Sequence, residues 1–312
     1  MGYSYAIIAD VTSDLSQELR DRFEVDRYIQ GHITIPGGKE INSKLEWDFT
    51  NAKDFYASLK SRSHTYATAP ASAEEIAGYW EPFLLEGKDI LAISISCSLS
   101  VTYNLMLNAQ RALLEKYPER TICVIDSRKY SVASGLLVLK ACELRSLGLT
   151  LEENVAQLEL LKYTIHQMGT MDDLFFIASK GRMSHSKAFL GTLVGIKPMG
   201  DFNNEGMVTV LAKVKGFDKA YEVIIEYIQQ TIVDPENQVI LVAQTQREEQ
   251  AKVLARLIEE KLKPKEVIIS DIYPANGINI GPGLMAAYYF GTPISDLAFE
   301  TEVMKSILEA GK

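Results

Sequence analysis

The sequence predicts an α/β fold with two α/β domains. An N-terminal parallel, doubly wound sheet is expected over residues 1–163, and a second α/β domain over residues 164–312. Three observations carry this expectation. Short apolar runs rich in β-branched residues, at 5–9, 89–95 and 121–125, suit strands buried on both faces. Helix-period stretches separate them, the alternation that builds a parallel sheet. Each run closes in a polar cluster (10–14, 94–102, 126–128), and strand carboxyl ends are where such sheets bind ligands. A chain of 312 residues, 47% hydrophobic, is long enough for two cores.

In order, residues 5–9 form the first strand and 15–23 a helix, with a weaker strand at 29–35 and a turn at Pro36-Gly37-Gly38. Residues 54–59 are helical and 66–71 a loop. Ser72-Ala73-Glu74-Glu75 is a capping box opening the helix 76–85. The central stretch follows: strand 89–95, the hydroxyls and thiol of Ser94, Ser96, Cys97, Ser98, Ser100 and Thr102, then helix 103–114. A helix N-terminus with free N–H groups there would seat an anion, whereas the plainer alternative is a capping serine among surface serines. Strand 121–125, an apolar helix 135–147 and a second capping box at 150–153 complete the first domain.

Beyond residue 164 the pattern changes. An apolar run at 174–177 leads to a basic turn at 180–187, a hairpin spans 201–210, and a helix covers 217–229. Strands at 239–243 and 267–271 flank a helix at 247–261. A rigid, glycine-punctuated loop over 274–283 precedes a helix at 284–290.

Composition excludes several functions. The net charge of -9 disfavours nucleic acid or an anionic membrane as the main partner. Cys97, Cys123 and Cys142 lack the spacing of a disulfide framework or a zinc site, and the latter two suit small core positions. No apolar run reaches membrane-spanning length and no signal peptide precedes the first strand, so a cytoplasmic location is expected. GxSxG, Walker A, GxGxxG and HExxH signatures are absent, and no cofactor is called for. Gly281-Pro282-Gly283 suits a turn or a ligand loop, and Arg182 a solvated charge or a partner contact.

Taken together, the motifs at 10–15 (DVTSDL), 68–70 (TAP), 96–103 (SCSLSVTY), 124–127 (VIDS), 181–184 (GRMS), 190–198 (LGTLVGIKP), 213–216 (KVKG) and 281–283 (GPG) resemble the DegV family of bacterial fatty-acid-binding proteins. The resemblance runs in the same order from residue 5 to about 290. It implies a non-enzymatic, two-domain protein holding one long-chain fatty acid between its domains. Members of the fatty-acid-kinase type deliver that acid to a separate ATP-using kinase subunit for phospholipid metabolism. A transient encounter with a membrane is compatible with such cargo.

The resemblance carries head-group contacts onto Thr68, Ser96, Cys97 and Asn279, and partner contacts onto Arg182 and Lys215. Three departures alter it. Ala67 replaces a threonine, Cys97 stands where the family has the second of two serines, and Asn279 replaces a histidine. Lys215 also stands for an arginine, which weakens a bidentate contact. Leu190, Leu193, Val194 and Ile196 are candidates for a tunnel wall or for ordinary core. Two alternatives stand beside the carrier: a binder or sensor of a different small amphiphile, and an acyl enzyme with Cys97 as nucleophile, its pKa lowered by the helix N-terminus.

Overall fold

The structure is a computed structural model that describes residues 2–61, 65–182 and 195–310. In chain order the elements are β1 (Tyr5–Asp10), α1 (Gln17–Arg22), β2 (Arg27–Ile29), β3 (His32–Thr34), β4 (Glu40–Asn42), α2 (Ala52–Ser61), β5 (Ala67–Ala69), α3 (Ala73–Leu85), β6 (Asp89–Ser94), α4 (Thr102–Lys116), β7 (Ile122–Asp126), α5 (Val132–Ser146) and α6 (Leu151–Leu161). They continue with β8 (Ile165–Thr170), α7 (Leu174–Ser179), β9 (Ile196–Phe202), β10 (Val208–Lys215), α8 (Gly216–Thr231), β11 (Val239–Gln244), α9 (Glu248–Leu262), β12 (Glu266–Asp271), α10 (Pro274–Ile280), β13 (Met285–Phe290) and α11 (Ala298–Ala310). Two compact units result. Unit 1 takes Met1–Asp48, Thr65–Lys162 and Tyr273–Asn276; unit 2 takes Phe49–His64, Tyr163–Ile272 and Gly277–Lys312.

Unit 1 is built on the all-parallel sheet β2-β1-β6-β7. Strand side chains alternate between faces. Ala6, Ile8, Ile90, Ala92 and Ile122 meet Ile76, Trp80 and Leu84 of α3 and Met106, Ala109 and Leu113 of α4. The other parity, Ile7, Ala9, Leu91 and Ile93, is equally buried where α5 and α6 pack on the strands. That is the predicted doubly wound layering. Both capping boxes form, Ser72 with Glu75 and Thr150 with Glu153.

Two local expectations fail. The strand expected at 29–35 is two: β2 joins the parallel sheet and β3 an antiparallel sheet, β4-β3-β5. It breaks at Gly31, where a Cβ would lie 2.8 Å from the Ala69 carbonyl oxygen. The loop expected at 66–71 holds β5, which pairs Thr68 with Ile33.

Unit 2 carries a six-stranded sheet, β10-β9-β8-β13-β11-β12, antiparallel except for β11 and β12. One face packs Met168, Met199, Val214, Ile240, Val242, Met285, Ala287 and Tyr289 against Val223, Ile224 and Ile228 of α8, Leu254 and Ile258 of α9, and Val303, Met304 and Ile307 of α11. The helix expected at 284–290 is strand β13, and the expected loop before it contains helix α10. Leu, Met and Ala favour helix locally, but this run lies between β8 and β11, and pairing on both sides overrides propensity. Pro274 begins α10, and Gly281, at φ +81°, ends it with its N–H on the Gly277 carbonyl at 2.8 Å. The Gly-Pro-Gly is therefore a helix stop.

A polar knot sits inside unit 2. The Asp201 carboxylate accepts from His166 Nδ1 (2.6 Å), Tyr227 Oη (2.8 Å), and the N–H groups of Gln167 and Phe202 (2.8 and 2.7 Å). His166 Nε2 faces the Thr292 carbonyl at 2.8 Å, and its ring stacks on Tyr289. Only the doubly protonated ring donates to both oxygens.

Candidate functional site

In unit 1 the polar strand ends wire one another into place. Asp10 closes β1, and its Oδ2 accepts the Ile95 N–H at 2.7 Å while Oδ1 accepts the N–H and hydroxyl of Thr12. Asp126 closes β7, and its Oδ1 accepts the N–H groups of Cys97 (3.2 Å) and Arg128 (3.0 Å). The Ser96 N–H goes to the Lys129 carbonyl at 2.8 Å. Ser98 N–H reaches Ser96 Oγ at 3.2 Å, and the N–H groups of Leu99 and Ser100 reach the Ser96 carbonyl at 3.0 and 3.2 Å. Every backbone donor from 95 to 100 is thus committed, and α4 opens only at Thr102, after an N-cap at Val101.

This corrects the expectation of free N–H groups. The helix N-terminus lies past the Ser96-Cys97 pair, because the loop spends its amides on two carboxylates and its own turn. What remains for a ligand is side-chain chemistry. Ser96 is buried, and Cys97 and Ser98 are exposed. The Cys97 thiol is pushed up from its ordinary pKa, first by its bond to Asp126 and then by burial. That is opposite to the lowering expected from a helix N-terminus, and it leaves Cys97 a thiol, a poor nucleophile, at neutral pH. Of the two described histidines, His32 pairs with Glu75, and His166 is engaged by Asp201 in the unit 2 knot. His64 and His185 lie outside the described residues.

A second carboxylate cluster lies in unit 1. Asp14 is fully buried and accepts from Ser131 Oγ (2.5 Å), Tyr273 N–H (2.9 Å) and Asn276 Nδ2 (2.6 Å). Asn276 also donates to the Thr12 carbonyl at 2.9 Å. Burial, the largest cause, raises the Asp14 pKa to about 8 against the lowering effect of those donors. Burial raises Asp10 as well. A carboxyl that is neutral at pH 7 does not repel an incoming anion. Sequence reading missed this cluster because Tyr273 and Asn276 come from the far end of the chain. The one available signal was the second acid of the DVTSD stretch.

Thr68 is exposed on β5 in unit 1. Asn279 is half-buried on α10 in unit 2, followed by the turn 281–283. A Cβ on Gly281 would lie 2.4 Å from Phe176, and one on Gly283 2.8 Å from Asp172, so close packing accounts for both glycines. Arg182 is exposed, with Nη1 on the Lys180 carbonyl, and Lys215 is exposed at the end of β10. Of the wall candidates, Ile196 opens β9, while Leu190, Leu193 and Val194 lie outside the described residues, as do Met183 and Ser184. Among the described residues no cluster of His, Cys, Asp and Glu could hold a metal, and no helix is long and apolar enough to cross a membrane.

The profile of the DegV family, described as uncharacterised proteins, matches residues 4–292. A DegV domain-containing protein of Clostridium perfringens is 30% identical over 287 residues, 92% of this chain and 97% of that one. Among solved structures, a DegV family protein from Thermus thermophilus described as fatty acid binding superposes with a TM-score of 0.81 at 25% identity, covering 92% of this chain and 99% of that one. A second, from Ruminococcus gnavus and described with vaccenic acid, gives 0.80 at 22% identity, covering 92% and 100%.

Proposed function

Because this chain belongs to the DegV family, we propose that it binds one long-chain fatty acid and presents the carboxylate to a separate fatty-acid kinase subunit. Thr68, Ser96, Cys97 and Asn279 supply the head-group donors, Arg182 and Lys215 face the partner, and the acyl chain occupies a tunnel between the two domains. The chain acts as a carrier in the cytoplasm and performs no chemistry of its own. One observation supports this reading above the others: the likeness to the fatty acid binding Thermus thermophilus protein extends over 92% of the chain.

The chemistry of unit 1 is consistent with it. A desolvated carboxylate needs hydrogen-bond donors. Ser96 is buried in a loop whose backbone is fixed by Asp10, Asp126 and Lys129, so its position is settled before a ligand arrives. The tail supplies the affinity: about 14 methylenes at ~0.8 kcal/mol each give roughly 11 kcal/mol gross, before ordering costs. The Cys97 and Asn279 departures favour a second reading, a different small amphiphile at the same donors, since a thiol donates weakly and an amide carries no charge.

Extraction of freshly purified protein, with native mass spectrometry, tests both. One fatty acid per chain is expected. A different extracted amphiphile favours the second reading, and a lipid-free protein that takes up neither oleate nor palmitate refutes both.

A further inference from the structure

Unit 2 has a charged cluster that the fatty acid reading does not use. Asp172 follows β8, Lys197 is the second residue of β9, and Arg247 precedes α9. Lys197 Nζ lies 2.6 Å from Asp172 Oδ1, and Arg247 Nη2 bonds Oδ2 of the same carboxylate. Each oxygen has its own cation, so the cluster keeps one surplus positive charge. Among the described residues neither cation has another acidic partner. Both rest on the Phe217 ring, with Nζ 4.0 Å and Arg247 Cζ 6.0 Å from its centroid.

The surplus charge is poorly hydrated. The side chains of Lys197 and Arg247 are only 11% and 26% exposed. Burial lowers the basicity of both, in spite of the carboxylate they share. Donors are also left over. Arg247 Nε–H is buried with no partner among the described residues, and Nη1 reaches only the adjacent Gln246 carbonyl, at 3.0 Å. The three N–H groups of Lys197 have one oxygen partner among the described residues.

We propose that Lys197 and Arg247 form an anion site for a phosphate group, with Asp172 as the resident counter-charge that holds the two cations in place on Phe217. The spare donors, the Nε–H of Arg247 and the two remaining N–H groups of Lys197, sit on two separate side chains and do not form a planar fork. A tetrahedral oxyanion, with oxygens in several directions, engages them together better than a second planar carboxylate would. The site does not depend on the fatty acid reading.

Calorimetric titration at constant ionic strength tests it, using inorganic phosphate, hexadecyl phosphate as a lipid-borne phosphate, and acetate as the planar comparison. One saturable phosphate per chain is expected, with acetate weaker. Lys197→Gln and Arg247→Gln should each weaken binding about ten-fold or more, the loss of one charge-assisted bond. Asp172→Asn should tighten binding several-fold by removing the competing charge, an outcome that damage to the fold would not produce. Hexadecyl phosphate binding without inorganic phosphate binding, dependent on the same two cations, supports the site and assigns it to a lipid phosphate. Absence of saturable binding of either probe, binding unmoved by both glutamine variants, or weakening in Asp172→Asn overturns the proposal. Lipid extraction from the same preparations keeps its failure distinguishable from failure of the carrier reading.

Discussion

Asp14→Asn should change how unit 1 stability depends on pH. The Asp14 pKa is raised from 3.8 to about 8 in the folded protein, mainly by burial. Between those values the folded state holds a proton that the unfolded chain has released, so this group's contribution to stability falls as pH rises. It is greatest below about pH 4 and fully lost above about pH 8. At 1.36 kcal/mol per unit, the interval from 3.8 to about 8 corresponds to about 5–6 kcal/mol. Between about pH 5 and 7.5 the wild type should lose about 3 kcal/mol relative to Asp14→Asn, which keeps an oxygen for the Tyr273 N–H but cannot titrate. Both tryptophans of the chain, Trp47 and Trp80, lie in unit 1, so urea unfolding followed by their fluorescence reports this unit selectively. A wild-type-minus-variant curve that stays flat across this range would refute the reasoning. It would mean that Ser131, Tyr273 and Asn276 hold the carboxylate ionised in the native state.

Four further outcomes are expected. Cys97 should alkylate slowly at neutral pH and faster as pH rises, measured by mass spectrometry, because Asp126 disfavours its thiolate; Cys97→Ser should tighten fatty acid binding by restoring a stronger donor. Asp201→Asn should cost unit 2 about 3–5 kcal/mol in denaturant unfolding, the usual penalty for removing one partner of a buried ion pair, here one that also leaves His166 facing an amide. Gly169→Ala should cost about 1–3 kcal/mol and lower the thermal midpoint, because the added Cβ would lie 2.3 Å from the Ala286 Cβ on the paired strand β13.

What the sequence disclosed was what neighbouring residues decide. Ser72 with Glu75 and Thr150 with Glu153 are capping boxes readable at a spacing of three, and both form. The runs at 5–9, 89–95 and 121–125 are strands because β-branched stretches buried on both faces have few other outlets. Residues 284–290 were illegible for the converse reason: helix-favouring side chains became β13 through pairing with β8 and β11, remote in the chain. Ser96 and Cys97 were correctly placed at a strand end, yet the fate of their amides depended on Asp10 and Asp126, each on a different strand. The partners of Asp14 lie 117 to 262 positions away, beyond the reach of any local pattern.

The chain passes from one unit to the other at residues 48, 64, 162, 272 and 276. Neither unit is therefore a continuous stretch that can be excised by a single cut. A fragment ending near residue 162 keeps the parallel sheet but loses Tyr273 and Asn276, and Asp14 is left with Ser131 as its remaining donor. During synthesis the N-terminal half must accordingly wait for residues 273–276 to emerge before that buried acid is satisfied. Truncation libraries, split reporters and domain-swap chimaeras cut at the apparent midpoint should all inherit the same defect, and its repair requires supplying the short 273–276 segment rather than lengthening the N-terminal piece.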